Sequence, residues 1–345
     1  MKILCSTTLV DRSNLAKLYL LLTLLLLLGC QQEKIVSISG KTMGTTYSVK
    51  FWATGSSPEI KVAKQQIDQL LVSLNNEMST YIPTSTLSKV NSNRSTDWIT
   101  IPARLYYLLG EAQQIAKLTD GSFDVTVGPL VNLWGFGPDG KRQVPNKVQI
   151  QVAKRRVGFS KLSLRHDDEQ NLHQIKKDHP RLYIDLSAMA KGYGVDLVSN
   201  LMSKLGAINH MVEIGGEVRT SGTKRGEPWK VAIESPSLQG TGRYSKVLAL
   251  RDQAAATSGS YRNFFIVGDK SYSHTINPKS GRPVDHALIS ATVISKRCAL
   301  ADAYATALMV MGYKEAKKFV QLAGIKAYLI YQDGEKQIAG FVREL

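Results

Sequence analysis

The sequence predicts an α+β fold in which mixed or antiparallel sheets pack against helices. Apolar residues recur with strand spacing in some segments and helical spacing in others. The two kinds do not alternate strictly, as a doubly wound parallel sheet would require, and no segment repeats.

Taken in order, residues 36–52 alternate well enough for a strand pair or one long bent strand. Residues 60–75 place Val62, Ile67, Leu70, Leu71 and Leu74 on one helical face. A second helix over 105–118 is stopped by Asp120-Gly121. Residues 125–134 are apolar, but Gly128-Pro129 turns them into a loop with a short helix. A helix over 148–157 precedes a charged, hairpin-like stretch at 161–184. The remainder reads as helices over 188–205, 299–311 and 314–322, and strands over 210–214, 229–234, 245–250, 287–293 and 327–331.

The N-terminus carries an export signal. Lys2, Arg12 and Lys17 precede an apolar run at 18–28, too short to span a bilayer and of signal-peptide form. The run ends in Leu27-Leu28-Gly29-Cys30, which resembles a bacterial lipobox in which Cys30 is lipidated and becomes the first mature residue. That resemblance implies a lipid-anchored protein facing the periplasm. Gln31 stands where an Asp would resemble an inner-membrane retention signal, and the choice between inner and outer membrane stays open. The organisation expected is a signal peptide at 1–30, a tether at 31–35 and one domain over 36–345.

Of the three cysteines, only Cys298 then lies in the globular part, so no internal disulfide forms. Its apolar neighbours mark it as a buried structural thiol. Losing residues 1–30 removes three bases and one acid, lowering the formal charge from +16 to +14. Such a basic protein favours anionic partners. Lys and Arg are scattered rather than interleaved with aromatics, so nucleic acid is not the expected one.

Five segments carry chemistry. Residues 273–283 place His274 beside hydroxyls on a loop punctuated by Asn277-Pro278 and Ser280-Gly281, where an imidazole can exchange a proton near neutral pH. Thr42-Met43-Gly44-Thr45 is a small, hydroxyl-rich turn that backbone or ligand can approach closely. Residues 119–130 combine a helix stop, the aromatic ring of Phe123 and the carboxylates of Asp120 and Asp124. In Asp185-Leu186-Ser187-Ala188, followed by Lys191, an N-cap, free N–H groups and a full positive charge suit a diphosphate. Neither the P-loop spacing nor the Gly-x-Gly-x2-Gly turn is present. Asp302 and Thr306, four apart on a helix, offer two hard oxygens on one face, as Mg2+ accepts.

Together with Tyr81, Ile214-Gly215-Gly216-Glu217 and the segment 121–134, these residues resemble the ApbE-type FAD:protein FMN transferases over essentially the whole mature sequence. The resemblance implies the α+β ApbE fold with FAD in a cleft. It implies transfer of FMN from FAD to a Ser or Thr hydroxyl of an acceptor protein, with release of AMP. Expected acceptors are exported or membrane electron-transfer proteins, such as subunits of ion-pumping NADH:quinone oxidoreductases.

Position by position, Met43, Tyr81, Ser122, Phe123, Asp124, Asp185, Lys191 and Ile276 would bind FAD. The Ala188 carbonyl, Asp302 and Thr306 would coordinate Mg2+, and His274 would be the catalytic base. Ser187-Ala188-Met189 stands where the family often has Gly-Ala-Ile. Two rival readings use the same residues: a Mg2+-dependent FAD pyrophosphatase with water as nucleophile, and a non-catalytic flavin-binding lipoprotein.

The anchor reading gives a first prediction. Cys30→Ala should release the protein from membranes while leaving its activity intact; sedimentation with the membrane fraction in high salt would show the anchor to lie elsewhere.

Overall fold

The structure is a computed structural model, and it describes residues 34–138, 140–236 and 244–342. The expected signal peptide and Cys30 lie outside these residues. The strand that opens the fold already includes Lys34 and Ile35, so the last two residues of the expected tether belong to the sheet.

The frame is an eight-stranded sheet. Its strands follow one another in space as in sequence: Lys34–Thr42, Thr45–Ala53, His210–Ile214, Glu217–Ser221, Ala254–Gly259, Leu288–Ser295, Lys326–Asp333 and Lys336–Phe341. Every neighbouring pair is antiparallel. The first hairpin turns at Met43 and Gly44, both at positive φ (49° and 71°), as a tight two-residue turn demands. Gly215 and Gly216 do the same between the third and fourth strands (60° and 102°).

Alternation assigns the two faces of the sheet. Ala256, Ala291, Val293 and Leu329 pack with Ala301, Ala305 and Leu308 of the Cys298–Met311 helix. Their neighbours Ala255, Ile294, Tyr328 and Ile330 turn the other way, onto Ile233, Leu248 and Leu250 of a separate hairpin formed by Trp229–Glu234 and Tyr244–Leu250. Helices Ile60–Met78 and Ala190–Lys204 cover the N-terminal half of the sheet, where Ile67, Leu71, Val195 and Val198 meet Val49, Phe51, Val212 and Ile214.

The helical layer depends on one close contact. A Cβ added at Gly192 would lie 2.4 Å from the Cys298 carbonyl oxygen, so only glycine lets the Ala190–Lys204 helix approach the start of the Cys298–Met311 helix so closely. Four residues on, the buried Asp196 carboxylate accepts the amides of Cys298 (2.9 Å) and Ala299 (3.1 Å) and bonds Arg219 (2.8 Å). It supplies from another helix the N-terminal cap that Arg297 does not give. Cys298 is buried, and burial together with Asp196 holds its thiol well above the usual range, consistent with an inert structural role.

Several expectations shift in detail. The 188–205 helix starts at Ala190, because Leu186 through Met189 form a turn. The 148–157 helix runs Lys147–Lys154, with a capping box between Asn146 and Gln149. The charged hairpin is present as Leu162–Asp167 and Leu172–Lys177, joined at its edge by Ile99–Thr100. Helix Thr86–Ser92 and strands Glu217–Ser221, Ala254–Gly259 and Lys336–Phe341 are not apparent from periodicity.

Replacing Asp196 with Ala should destabilise the protein by about 3 kcal/mol, since it leaves two buried amides and a partly buried arginine without their acceptor. Denaturant midpoints compared with those of Asp196→Asn, which retains one acceptor oxygen, would measure this.

Candidate active site

The sheet opens where the site lies. Strand Ala254–Gly259 pairs with Glu217–Ser221 only at Ala254 and Ala255, while its pairing with Leu288–Ser295 continues to Gly259. Beside the end of Ala254–Gly259 that runs past the start of Glu217–Ser221 is a cavity of about 470 Å³, lined in part by Glu217 and Thr257–Ser258–Gly259.

Eleven of the twelve residues expected to bind FAD or metal or to act as base line this one cavity: Tyr81, Ser122, Phe123, Asp124, Asp185, Ala188, Lys191, His274, Ile276, Asp302 and Thr306. Met43 does not. It forms the first hairpin turn, and its side chain packs toward Gly194 and the helical core.

The roles of these side chains differ. Phe123 and Ile276 are buried walls. Asp124 is a strut: Oδ1 accepts from the amide and hydroxyl of Thr126, and Oδ2 from the Phe159 amide at 2.9 Å. Burial raises its pKa against these bonds. Asp185 folds the chain before the helix, accepting from the amide and hydroxyl of Ser187. It therefore shapes the turn instead of capping the helix, whose first flanking residue is Met189. Tyr81 stands exposed at the mouth, its hydroxyl 3.5 Å from the Phe136 carbonyl.

The charged centre is Lys191. Its ammonium lies 3.2 Å from Glu217 Oε1 and 3.9 Å from Asp302 Oδ2. Burial alone would lower its pKa, but the two carboxylates outweigh it and hold the lysine protonated. Asp302 is buried, and its pKa is raised by that burial and opposed by Lys191.

Glu217, part of the Ile214–Glu217 motif but given no role from sequence, is also buried, and its Oε2 has no hydrogen-bond partner among the described residues. Desolvation and the nearby Asp302 push its pKa up to about 8. The available signal was a glutamate between Ile214 and Val218, directly after a Gly-Gly turn.

The same region fits a hard divalent cation. The Gly192 amide, one of the donors that a helix beginning at Ala190 leaves without an intrahelical partner, donates to Asp302 Oδ2 at 3.1 Å. Thr306 Oγ1 lies 3.1 Å from Ser258 Oγ. A carbonyl, a carboxylate and a hydroxyl, with the unpaired Glu217 oxygen nearby, make an oxygen-rich pocket with few protein ligands, as Mg2+ tolerates. Among the described residues, no group of three or more His, Cys, Asp or Glu side chains forms a softer metal site.

His274 also lines the cavity. Its Nδ1 lies 3.0 Å from the Asn263 carbonyl, which can only accept, so Nδ1 carries the proton and Nε2 is left basic. Burial lowers its pKa, the Asn263 bond opposes this, and the charges of Lys191 and Arg142 lower it further. The imidazole is therefore neutral at physiological pH.

Residues 43–329 match the ApbE family. The chain belongs to that family. It is 40% identical over 324 residues to the FAD:protein FMN transferase of Vibrio cholerae, covering 92% of this chain and 95% of that relative. It is 41% identical over 310 residues to the Haemophilus influenzae protein of the same name, covering 88% and 89%. Among solved structures, the flavin transferase ApbE from Vibrio cholerae superposes with a TM-score of 0.81 at 38% identity, over 90% of this chain and 97% of that one. The apo flavinyl transferase ApbE of Pseudomonas stutzeri gives 0.81 at 34% identity, over 91% and 96%. The α+β class read from the sequence is the fold of these flavin transferases.

The buried Glu217 predicts a pH effect. Because its folded pKa lies above its ordinary value of 4.5, the native state binds the extra proton. Its contribution to stability should fall as pH rises from about 4.5 to about 8. Glu217→Gln should flatten that part of the metal-free stability profile, measured by denaturant midpoint against pH.

Proposed function

We propose that this protein is a Mg2+-dependent FAD:protein FMN transferase acting on a Ser or Thr hydroxyl of an exported or membrane electron-transfer protein, with AMP as the second product. The observation that carries the reading is convergence: a neutral histidine, a protonated lysine and the Ala188–Asp302–Thr306 oxygen set line one cavity in a chain whose curated relatives are FAD:protein FMN transferases.

The FAD pyrophosphate is already an activated phosphoryl donor, so the protein needs to supply a base, orientation and charge neutralisation. His274 Nε2 takes the proton of the acceptor hydroxyl. The hydroxyl oxygen attacks the phosphorus on the riboflavin side. A phosphoester forms there, the bond to the bridging oxygen breaks, and its electron pair leaves with AMP. Lys191 offsets negative charge developing on the phosphate oxygens. Mg2+, held by the Ala188 carbonyl, Asp302 and Thr306, would supply further charge stabilisation at the diphosphate. Tyr81, at the mouth, offers a ring face to the flavin or adenine.

The lipid anchor at Cys30 belongs to this proposal, because it places the active site outside the cytoplasm, where FAD supplies the chemical energy without ATP. Among the described residues, no helix is long and apolar enough to cross a membrane.

Incubation with FAD, Mg2+ and an acceptor protein should give a flavin-fluorescent band in a denaturing gel. Release of FMN and AMP with no labelled acceptor would replace transfer by hydrolysis. Asp302→Ala should lower transfer by roughly 100-fold or more, the scale of losing one preorganised electrostatic partner, and Thr306→Ala by less.

His274→Ala should still bind FAD but lose transfer, since the group acts on the proton moved in the transition state. The folded pKa lies below the ordinary 6.5, so wild-type activity should persist through neutral pH and fall only as the medium becomes more acidic than that value. A wild-type rate in His274→Ala would place the base elsewhere.

A further inference from the structure

A second site stands on the charged hairpin, outside the cavity that holds the transfer machinery. His166 and His173 are directly opposite each other in the register of strands Leu162–Asp167 and Leu172–Lys177. Their Nδ1 atoms are 3.1 Å apart and their ring centroids 4.7 Å.

For two nitrogens each about 2.0–2.1 Å from one ion, that separation corresponds to an N–metal–N angle of about 95–102°. This lies between square-planar and tetrahedral bites. The rings are held in place: His173 stacks on Tyr106 at 4.6 Å and meets Tyr107 edge-on at 5.3 Å. His166 Nε2 lies 3.4 Å from Asp168 Oδ1. A carboxylate at Nε2 favours the proton there and leaves Nδ1 as a lone-pair donor, the arrangement by which outer carboxylates orient metal-binding histidines. The turn between the strands adds Asp167, Asp168 and Glu169, a local negative field that attracts cations.

We propose that His166 and His173 form a chelating site for a first-row divalent ion that prefers imidazole, Cu2+, Ni2+ or Zn2+. In the metal-free protein His173 Nδ1–H donates to His166 Nδ1. On binding, that proton moves to His173 Nε2 through solvent, both Nδ1 lone pairs face the ion, and no net proton is released. The site differs in chemistry from the oxygen set around Asp302, which suits Mg2+.

The test is Cu2+ titration of the untagged protein in excess Mg2+ and FAD, followed by electron paramagnetic resonance. One tightly bound equivalent with hyperfine structure from two imidazole nitrogens is expected. His166→Gln and His173→Gln, each isosteric enough to keep the exposed hairpin, should each weaken binding by at least about tenfold, the lower bound seen when even an outer partner of a metal ligand is removed. Flavin transfer should be unchanged in both. Copper binding of equal strength in the double variant, or a wild-type signal with one nitrogen or none, would overturn the proposal. A folded double variant, checked by its circular dichroism and retained transfer activity, keeps either outcome decisive.

Discussion

The contact between the Ala190–Lys204 and Cys298–Met311 helices is the constraint on which the site depends. A helix that begins in the interior brings unsatisfied amides with it. Here the Asp196 carboxylate satisfies two of them from the neighbouring helix, and Gly192 allows the two backbones to approach. One turn deeper, Asp302 returns the interaction by accepting the Gly192 amide. This reciprocal arrangement fixes Lys191 between Asp302 and Glu217 and turns Ala188 toward the same space. Without it, residues separated by more than 100 positions would not share a pocket.

The electrostatics follow from that docking. Two buried carboxylates face one lysine. Burial raises the pKa of Glu217 and Asp302, and the carboxylates in turn keep Lys191 protonated. With Glu217 raised to about 8, the buried cluster holds a proton at neutral pH that limits its negative charge. His274 is tuned in the opposite direction, kept neutral by burial and nearby positive charge.

The sheet contributes a gap. All neighbouring strands are antiparallel, but the fourth begins at Glu217 and the fifth runs on past it. The cavity occupies that opening. Long insertions between the strands bring Phe123, Asp185 and His274 to it from three separate stretches of sequence. Side chains of the cavity thus sit on loops carried by an ordered frame.

The chain composition and local patterns determined the α+β class, most of the long helices and the strands rich in branched residues, while the family resemblance pointed to most of the residues that meet in the cavity. Spacing four apart put Asp302 and Thr306 on one face, and loop punctuation marked His274. These are local facts, and local periodicity records them. The Ala-rich strand Ala254–Gly259 was invisible because its small residues owe their place to a helix packed above them, not to their own strand preference. Likewise, nothing in the pattern distinguishes Asp185 as a turn former, Asp124 as a strut, or Glu217 as the second partner of Lys191. Those roles depend on which amides, charges and voids lie beside each carboxylate, and long-range packing alone decides that.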